Sequence, residues 1–229
     1  EYKVYAGGSC KTKTSVLIVS NSLSFTGAPI VLMNAARILQ EEGYSPAFLS
    51  NADGKLRETI SGMGIPVIVE RHLEAFSYKL QDWIDRFDLI IVNTFLYHRA
   101  LLNCDLAGKK VLWWLHEGEN YYFDIQLGSR YRETVGNLTA AGVGPVACGA
   151  FEKVFGIRPR TLLYGIDEIP KVKTADSRDV ITFAIIGSII KRKGTDIFVD
   201  AVKKIDPSLR KKARFLIVGE YVESEKLYY

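Results

Sequence analysis

Residues 15–43 read SVLIVSNSLSFTGAPIVLMNAARILQEEG, and the spacing of apolar residues in them decides the class of fold. Val16 to Val19 are four consecutive aliphatic residues between serines. A run that short and that unbroken is the pattern of a strand buried on both faces. From Gly27 to Glu42 the period changes. Leu32, Ala35, Ala36 and Leu39 fall on one face of a helix, Pro29 suits its first turn, and Gly43 ends it. A buried strand, a short turn and a one-faced helix make one step of an α/β fold.

The step repeats along the chain. Further strands are expected at 47–50 (AFLS), 65–70 (IPVIVE), 88–93 (DLIIVN), 111–116 (VLWWLH), 145–149 (PVACG) and 161–164 (TLLY). Helices are expected near 55–62 and 78–86, before strand 111–116, and up to Gly156. Strand–helix alternation implies right-handed crossovers and a doubly wound parallel sheet, a Rossmann-like architecture. Residues 166–179 (IDEIPKVKTADSRD) are polar and aperiodic and read as a linker. The pattern then restarts with ITFAIIG (181–187), a helix from Thr195 with Phe198, Ala201, Val202 and Ile205 on one face, and FLIVG (215–219). The expected organisation is tandem doubly wound α/β domains: an N-terminal domain over 1–165, the linker over 166–179, and the beginning of a second domain over 180–229. One strand–helix–strand unit scarcely buries a core. The second domain is therefore expected to be incomplete, and to lean on the first domain or self-associate with another copy.

Composition narrows the function classes. The chain has 229 residues and a formal charge of +4, too mild a balance to indicate nucleic acid. It is compatible with phosphorylated substrates and with peripheral attraction to anionic lipid. No apolar run approaches the roughly 20 residues that cross a bilayer, and EYKVYAGGSCKTKT at the N-terminus has no signal-peptide core. Three cysteines, Cys10, Cys104 and Cys148, point to a reducing cytoplasm rather than a disulfide scaffold. Cys148 is expected as a buried thiol in a strand. No His, Cys and carboxylate spacing suits zinc, so no metal is expected.

In open parallel sheets ligands collect beyond the carboxyl ends of the strands, and four places fall there. In SLSFTGAP (22–29), Gly27 removes a Cβ where the helix's positive end begins, although a tight turn alone would use the same glycine. Asn93 and Thr94 follow a strand, where such residues also serve as helix caps. In WWLHEGEN (113–120), His116 and Glu117 end an apolar strand, and an imidazole there can bind a hydroxyl or move a proton. In GSIIKRKGTDIFVDA (187–201), three cations precede a glycine and a helix start. Gly187 permits close backbone approach, and Arg192 and Lys193 can reach a phosphate at that helix terminus. The spacing is not that of a P-loop.

These motifs together resemble glycosyltransferase family 4, of GT-B fold: SFTGAP after the first strand, LHE at a strand end, and GSIIKRKGTDIFVDAVKKI opening the second domain. The resemblance covers about residues 15–220. It implies transfer of a sugar from a nucleotide-sugar with retention of configuration, without a metal or other cofactor, to a saccharide or lipid-linked acceptor. It implies that Lys193, with Gly27, Gly187, Ser188 and Arg192, binds the donor diphosphate in a cleft between domains. It places His116 beside the transferred sugar, and Thr26, Asn93, Thr94 and Glu117 on the acceptor and sugar side. The chain departs from the family at Ser188, where many members carry Arg, with Arg192 as the substitute. It has no pair of glutamates eight positions apart in the second domain. A GT-B-like sugar-nucleotide epimerase and a non-catalytic binding or assembly module are the alternatives.

Overall fold

A computed structural model describes residues 2–5, 14–119, 122, 138–166, 168 and 180–219. The expected linker lies outside these, save Ile166 and Glu168, as does Cys10. The chain divides into two compact units, Glu1–Ile166 and Asp167–Tyr229.

The first unit is one eight-stranded sheet. Its elements in order are β1 (Lys3–Tyr5), β2 (Ser15–Ser20), α1 (Gly27–Glu41), β3 (Ser45–Ser50), α2 (Leu56–Gly62), β4 (Val67–Val69), α3 (Ser77–Ile84), β5 (Leu89–Asn93), a 3-10 turn (Phe95–Tyr97) running into α4 (His98–Leu101), β6 (Lys110–Leu115), β7 (Thr139–Gly142), α5 (Pro145–Phe155) and β8 (Arg160–Thr161). The strand order is β1-β4-β3-β2-β5-β6-β7-β8. All pairs are parallel except β1 with β4. The chain winds from β2 towards β4 and then returns to place β5 on the other side of β2. The order therefore reverses between β2 and β5, the position where parallel sheets open a crevice for ligands.

Alternate strand residues face two cores. Val16, Ile18, Phe48 and Val67 pack beneath α1 and α2 with Leu32, Ala36, Leu56 and Ile60. Leu17, Val19, Ile90, Val92 and Trp113 pack against α3, α4 and α5 with Leu80, Leu101, Phe151 and Phe155. Both faces of the central strands are covered, which is why those strands read as unbroken apolar runs.

Four elements differ from expectation. PVACG is not a strand but the first turns of α5, with Pro145 at its start; a short buried apolar run has the same composition in a helix as in a strand. The strand of that step is TAAG, Thr139–Gly142, whose small residues carry little strand signal. Smallness is required there, because a Cβ on Gly142 would lie 2.7 Å from Cys148 Sγ on α5. Cys148 is buried as expected, but on a helix. TLLY contributes only Thr161 to β8, and Leu162, Leu163 and Tyr164 are exposed. Finally, β1 is a three-residue strand that caps the sheet edge, too short to register as a period.

The second unit holds one strand–helix–strand step. β9 (Ile181–Ile186) and β10 (Ala213–Val218) pair in parallel, Ile181 opposite Ala213 through Ile186 opposite Val218. Between them lie a 3-10 turn (Lys191–Lys193), α6 (Thr195–Lys204) and α7 (Pro207–Arg210). Among the described residues no helix is long and apolar enough to cross a membrane.

Candidate functional site

The loop from β2 to α1 sits at the reversal point of the first sheet. Its side chains form a ladder of hydroxyls. Ser20 Oγ donates to Ser22 O at 2.8 Å, Ser22 Oγ meets Ser24 Oγ at 2.9 Å, and Ser24 Oγ meets Thr26 Oγ1 at 3.0 Å. Thr26 is the N-cap of α1, yet its side chain makes no capping bond and the first turn holds no carboxylate. A Cβ on Gly27 would meet nothing within 4 Å, so packing within the chain does not require this glycine.

Asn93 closes the other side of the reversal point. It is 1% exposed. Its Nδ2 donates to Ala28 O at 3.2 Å, tying the end of β5 to the first turn of α1. Its Oδ1 is buried without a partner among the described residues, a costly state for a polar atom. Thr94 behaves as a cap. Its Oγ1 accepts from Leu96 N at 3.3 Å, and its own carbonyl accepts from Trp113 Nε1 at 3.0 Å. It holds φ at 77°, a strained conformation for a β-branched residue.

Glu117 is likewise turned inward. Its Oε2 accepts from Phe95 N and from His116 N, each at 3.1 Å, and so joins the ends of β5 and β6. His116 is half-buried at the end of β6. Its ring lies 5.5 Å from the Trp114 ring and 6.3 Å from that of Tyr164, nearly parallel to the latter. Burial pushes the His116 pKa down to about 4, so the imidazole is neutral at ordinary pH. Its Nε2 is buried and has no partner among the described residues. A neutral ring nitrogen of this kind can make one hydrogen bond to a hydroxyl.

In the second unit the cation turn follows β9 directly. Gly187 has φ of 145°, and its N–H donates to Val218 O at 2.9 Å. The Cδ and Cε of Lys193 lie 3.9 and 3.8 Å from where a Gly187 Cβ would stand. Glycine serves the backbone here, while the lysine stem runs past it at ordinary contact distance. Lys191, Arg192 and Lys193 are exposed, Ser188 is half-buried beside Gly187, and Gly194 turns the chain into α6 with φ of 70°. Asp196 in the first turn of α6 sets one carboxylate against these three cations, so the excess charge at this helix start remains positive.

Both units carry cavities. One of about 510 Å³ is lined by Val16, Leu89, Lys110, Val111 and Thr139, at the amino ends of the strands. One of about 540 Å³ in the second unit lies beside the start of α6, lined by Ile189, Thr195, Asp196, Val199, Asp200 and Lys203, with both signs of charge. Among the described residues no group of three or more His, Cys, Asp or Glu is placed to hold a metal ion.

A family model described as Glycosyl-transferase family 4 matches residues 11–140, more than half of the chain. The chain belongs to that family. The matched span holds Thr26, Gly27, Asn93, Thr94, His116 and Glu117, and stops before the cation turn. No curated protein sequence matches the chain. Among solved structures, this family 4 chain is similar to Anabaena Alr3699/HepE in complex with UDP and glucose, at 18% identity and a TM-score of 0.69. It is similar to the catalytic domain of starch synthase IV from Arabidopsis thaliana bound to ADP and acarbose, at 10% identity and a TM-score of 0.59. It is also similar to an alpha-glucosyltransferase in complex with UDP and a 13-mer DNA, at 12% identity and a TM-score of 0.57. The matches cover 93%, 95% and 93% of this chain and 63%, 71% and 69% of those chains. The chain therefore spans less than two thirds of the HepE chain. These likenesses establish the α/β architecture as that of GT-B glycosyltransferases.

Two features of the family 4 chain escaped the sequence. Tyr164 stands by His116 although 48 positions away, and nothing in TLLY marks it. Gly219 ends β10 where a Cβ would fall 1.8 Å from Gly187 O; the strand FLIVG contains it, but only the paired backbones show why it must be glycine.

Proposed function

We propose that the protein transfers a sugar from a nucleoside-diphosphate sugar to a saccharide or lipid-linked acceptor, with retention of configuration. The observation that carries this reading is the stem of Lys193 lying along Gly187 at the head of α6. When the glycosidic bond to a nucleoside diphosphate breaks, negative charge gathers on phosphate oxygens. An ammonium, with the N–H groups of a helix start beside it, stabilises that charge more in the transition state than in the bound donor. Arg192, Ser188 and the main chain at Gly187 add donors from the same turn. In the first unit, the uncapped start of α1 at Gly27 offers further N–H groups. The neutral His116 Nε2 holds a hydroxyl of the transferred sugar. Thr26 and the hydroxyl ladder behind it face the acceptor, and Asn93 holds the start of α1 in place for it. No step requires a metal or cofactor.

UDP or ADP in the three similar structures supports a nucleoside diphosphate as the leaving group. The modest charge of +4 favours a saccharide or lipid-linked acceptor over the DNA present in one of those complexes.

The test is a screen of UDP-, ADP- and GDP-sugars by calorimetry and by mass spectrometry, with the product anomer assigned by NMR. Lys193→Ala is expected to lower donor kcat/KM by about ten- to a hundredfold, the size of one charge-assisted hydrogen bond of about 1.5–3 kcal/mol. Unchanged donor affinity and turnover in that variant would remove Lys193 from its role. An inverted product anomer would remove the retaining assignment alone.

A further inference from the structure

We propose that Glu117 is a positioning residue: its carboxylate fastens the main chain of His116 to the aromatic cluster beneath β5, and so fixes where the imidazole Nε2 points. The functional half of this inference rests on the reading of His116 as the group beside the transferred sugar; the geometric half does not.

One oxygen, Glu117 Oε2, accepts both the Phe95 and the His116 N–H. Ionised acceptors make the stronger hydrogen bonds, and this one spans the ends of two adjacent strands. The anchor is itself rigid. Phe95 is 2% exposed and packed by ring contacts with His98 at 4.7 Å, Trp113 at 5.5 Å, Tyr122 at 4.0 Å and Phe155 at 6.1 Å. The turn before it is held by two donors, Trp113 Nε1 to Thr94 O and Leu96 N to Thr94 Oγ1. The strain at Thr94 shows that these contacts over-determine the backbone there. The His116 ring, by contrast, makes no hydrogen bond among the described residues that would orient it. It meets only the rings of Trp114 and Tyr164, and its Nε2 is unpartnered. The ring's height above the sheet is therefore set through the main chain, and the main chain is set by Glu117. Turning Glu117 outward to hold an acceptor would strip two half-buried N–H groups of their partner. This reassigns Glu117 from a ligand contact to a brace.

Glutamine keeps an acceptor oxygen in the same place and alanine does not, so Glu117→Gln and Glu117→Ala separate bracing from charge. The chain has three histidines, His72, His98 and His116, and the His116 imidazole signals in NMR are assigned by their loss in His116→Ala. In the wild type this ring is shielded by Trp114 and Tyr164 and resists protonation down to about pH 4. Glu117→Ala is expected to move its titration up towards the ordinary 6.5, while Glu117→Gln leaves it in place. In transfer assays Glu117→Ala is expected to lower kcat by about tenfold or more with donor KM little changed, the signature of a misplaced group. Glu117→Gln should restore most of that, and in a His116→Ala background Glu117→Ala should cost nothing further. The brace is overturned if the His116 titration is the same in wild type and Glu117→Ala, if Glu117→Gln is as impaired as Glu117→Ala, or if the Glu117→Ala loss persists in full without His116. Should Glu117→Ala fail to fold, the glutamine variant decides, wild-type titration and turnover supporting the brace and loss of both overturning it. Normal transfer by His116→Ala would instead defeat the functional reading, and the NMR titration would still judge the brace.

Discussion

At the scale of single residues, His116 carries a pH signature. Its imidazole takes up a proton near 6.5 in the unfolded chain but only at about 4 in the folded one, because burial disfavours the charged ring. Between those values the unfolded state binds more protons. Stability is therefore present in full above about 6.5 and falls as pH drops towards 4. Half-buried His98 is shifted the same way by burial, so a single variant is needed to isolate one ring. We expect melting curves from pH 7 to pH 4.5 to show a smaller loss of Tm for His116→Gln than for the wild type. Equal slopes would place His116 in solvent. Cys104 is pushed up to about 12 by burial and by the neighbouring charge of Asp85, so alkylating reagents should leave it untouched in the native fold.

At the scale of elements, glycines at the ends of elements look alike in sequence and differ in physics. Gly219 and Gly187 end the paired strands β10 and β9, and their backbones touch where a side chain would stand. Gly27 begins α1 with open space around it. Gly219→Ala should destabilise the second unit by about 1–3 kcal/mol or more, the cost of overpacking against immovable backbone, read by hydrogen exchange of the β9 and β10 amides. Gly27→Ala should leave Tm unchanged or slightly raised, since alanine suits a helix better than glycine. It should nevertheless weaken transfer, because the added methyl stands where a ligand would approach the N–H groups. A large Tm loss in Gly27→Ala, or full activity, would count against the role given to that helix start.

At the scale of the molecule, every buried apolar side chain among the described residues belongs to the first unit. In the second unit Ile181, Phe183, Ile186 and Ile197 are exposed, and Thr195 is the sole buried residue described. Residues 1–166 are thus expected to melt cooperatively when expressed alone, while 167–229 alone should show no cooperative transition and should bind hydrophobic dyes. A sharp calorimetric melt of the isolated 167–229 segment would show that it holds a core of its own.

The sequence alone settled the class of fold and singled out the strand ends where the candidate residues stand. Apolar runs such as SVLIVS and DLIIVN record burial on both faces, and the change of period at Gly27 and Thr195 records the helices; both are local effects of packing on residue choice. It did not find β1, and it took PVACG for a strand, because a three-residue strand and a short buried run leave no distinguishing period. Thr26, Gly27, Asn93, His116 and Lys193 stood out because a strand end followed by a glycine, a cap or a charge is local too. Which of them are used by the chain itself was decided only in three dimensions. Thr94 is spent as a cap, Glu117 spans two strands that are neighbours only in the sheet, Tyr164 reaches His116 across the sheet order, and Gly219 is forced by a backbone 32 positions away. Hydrogen bonds and steric exclusion act through space, and parallel crossovers bring together residues that no sequence window contains.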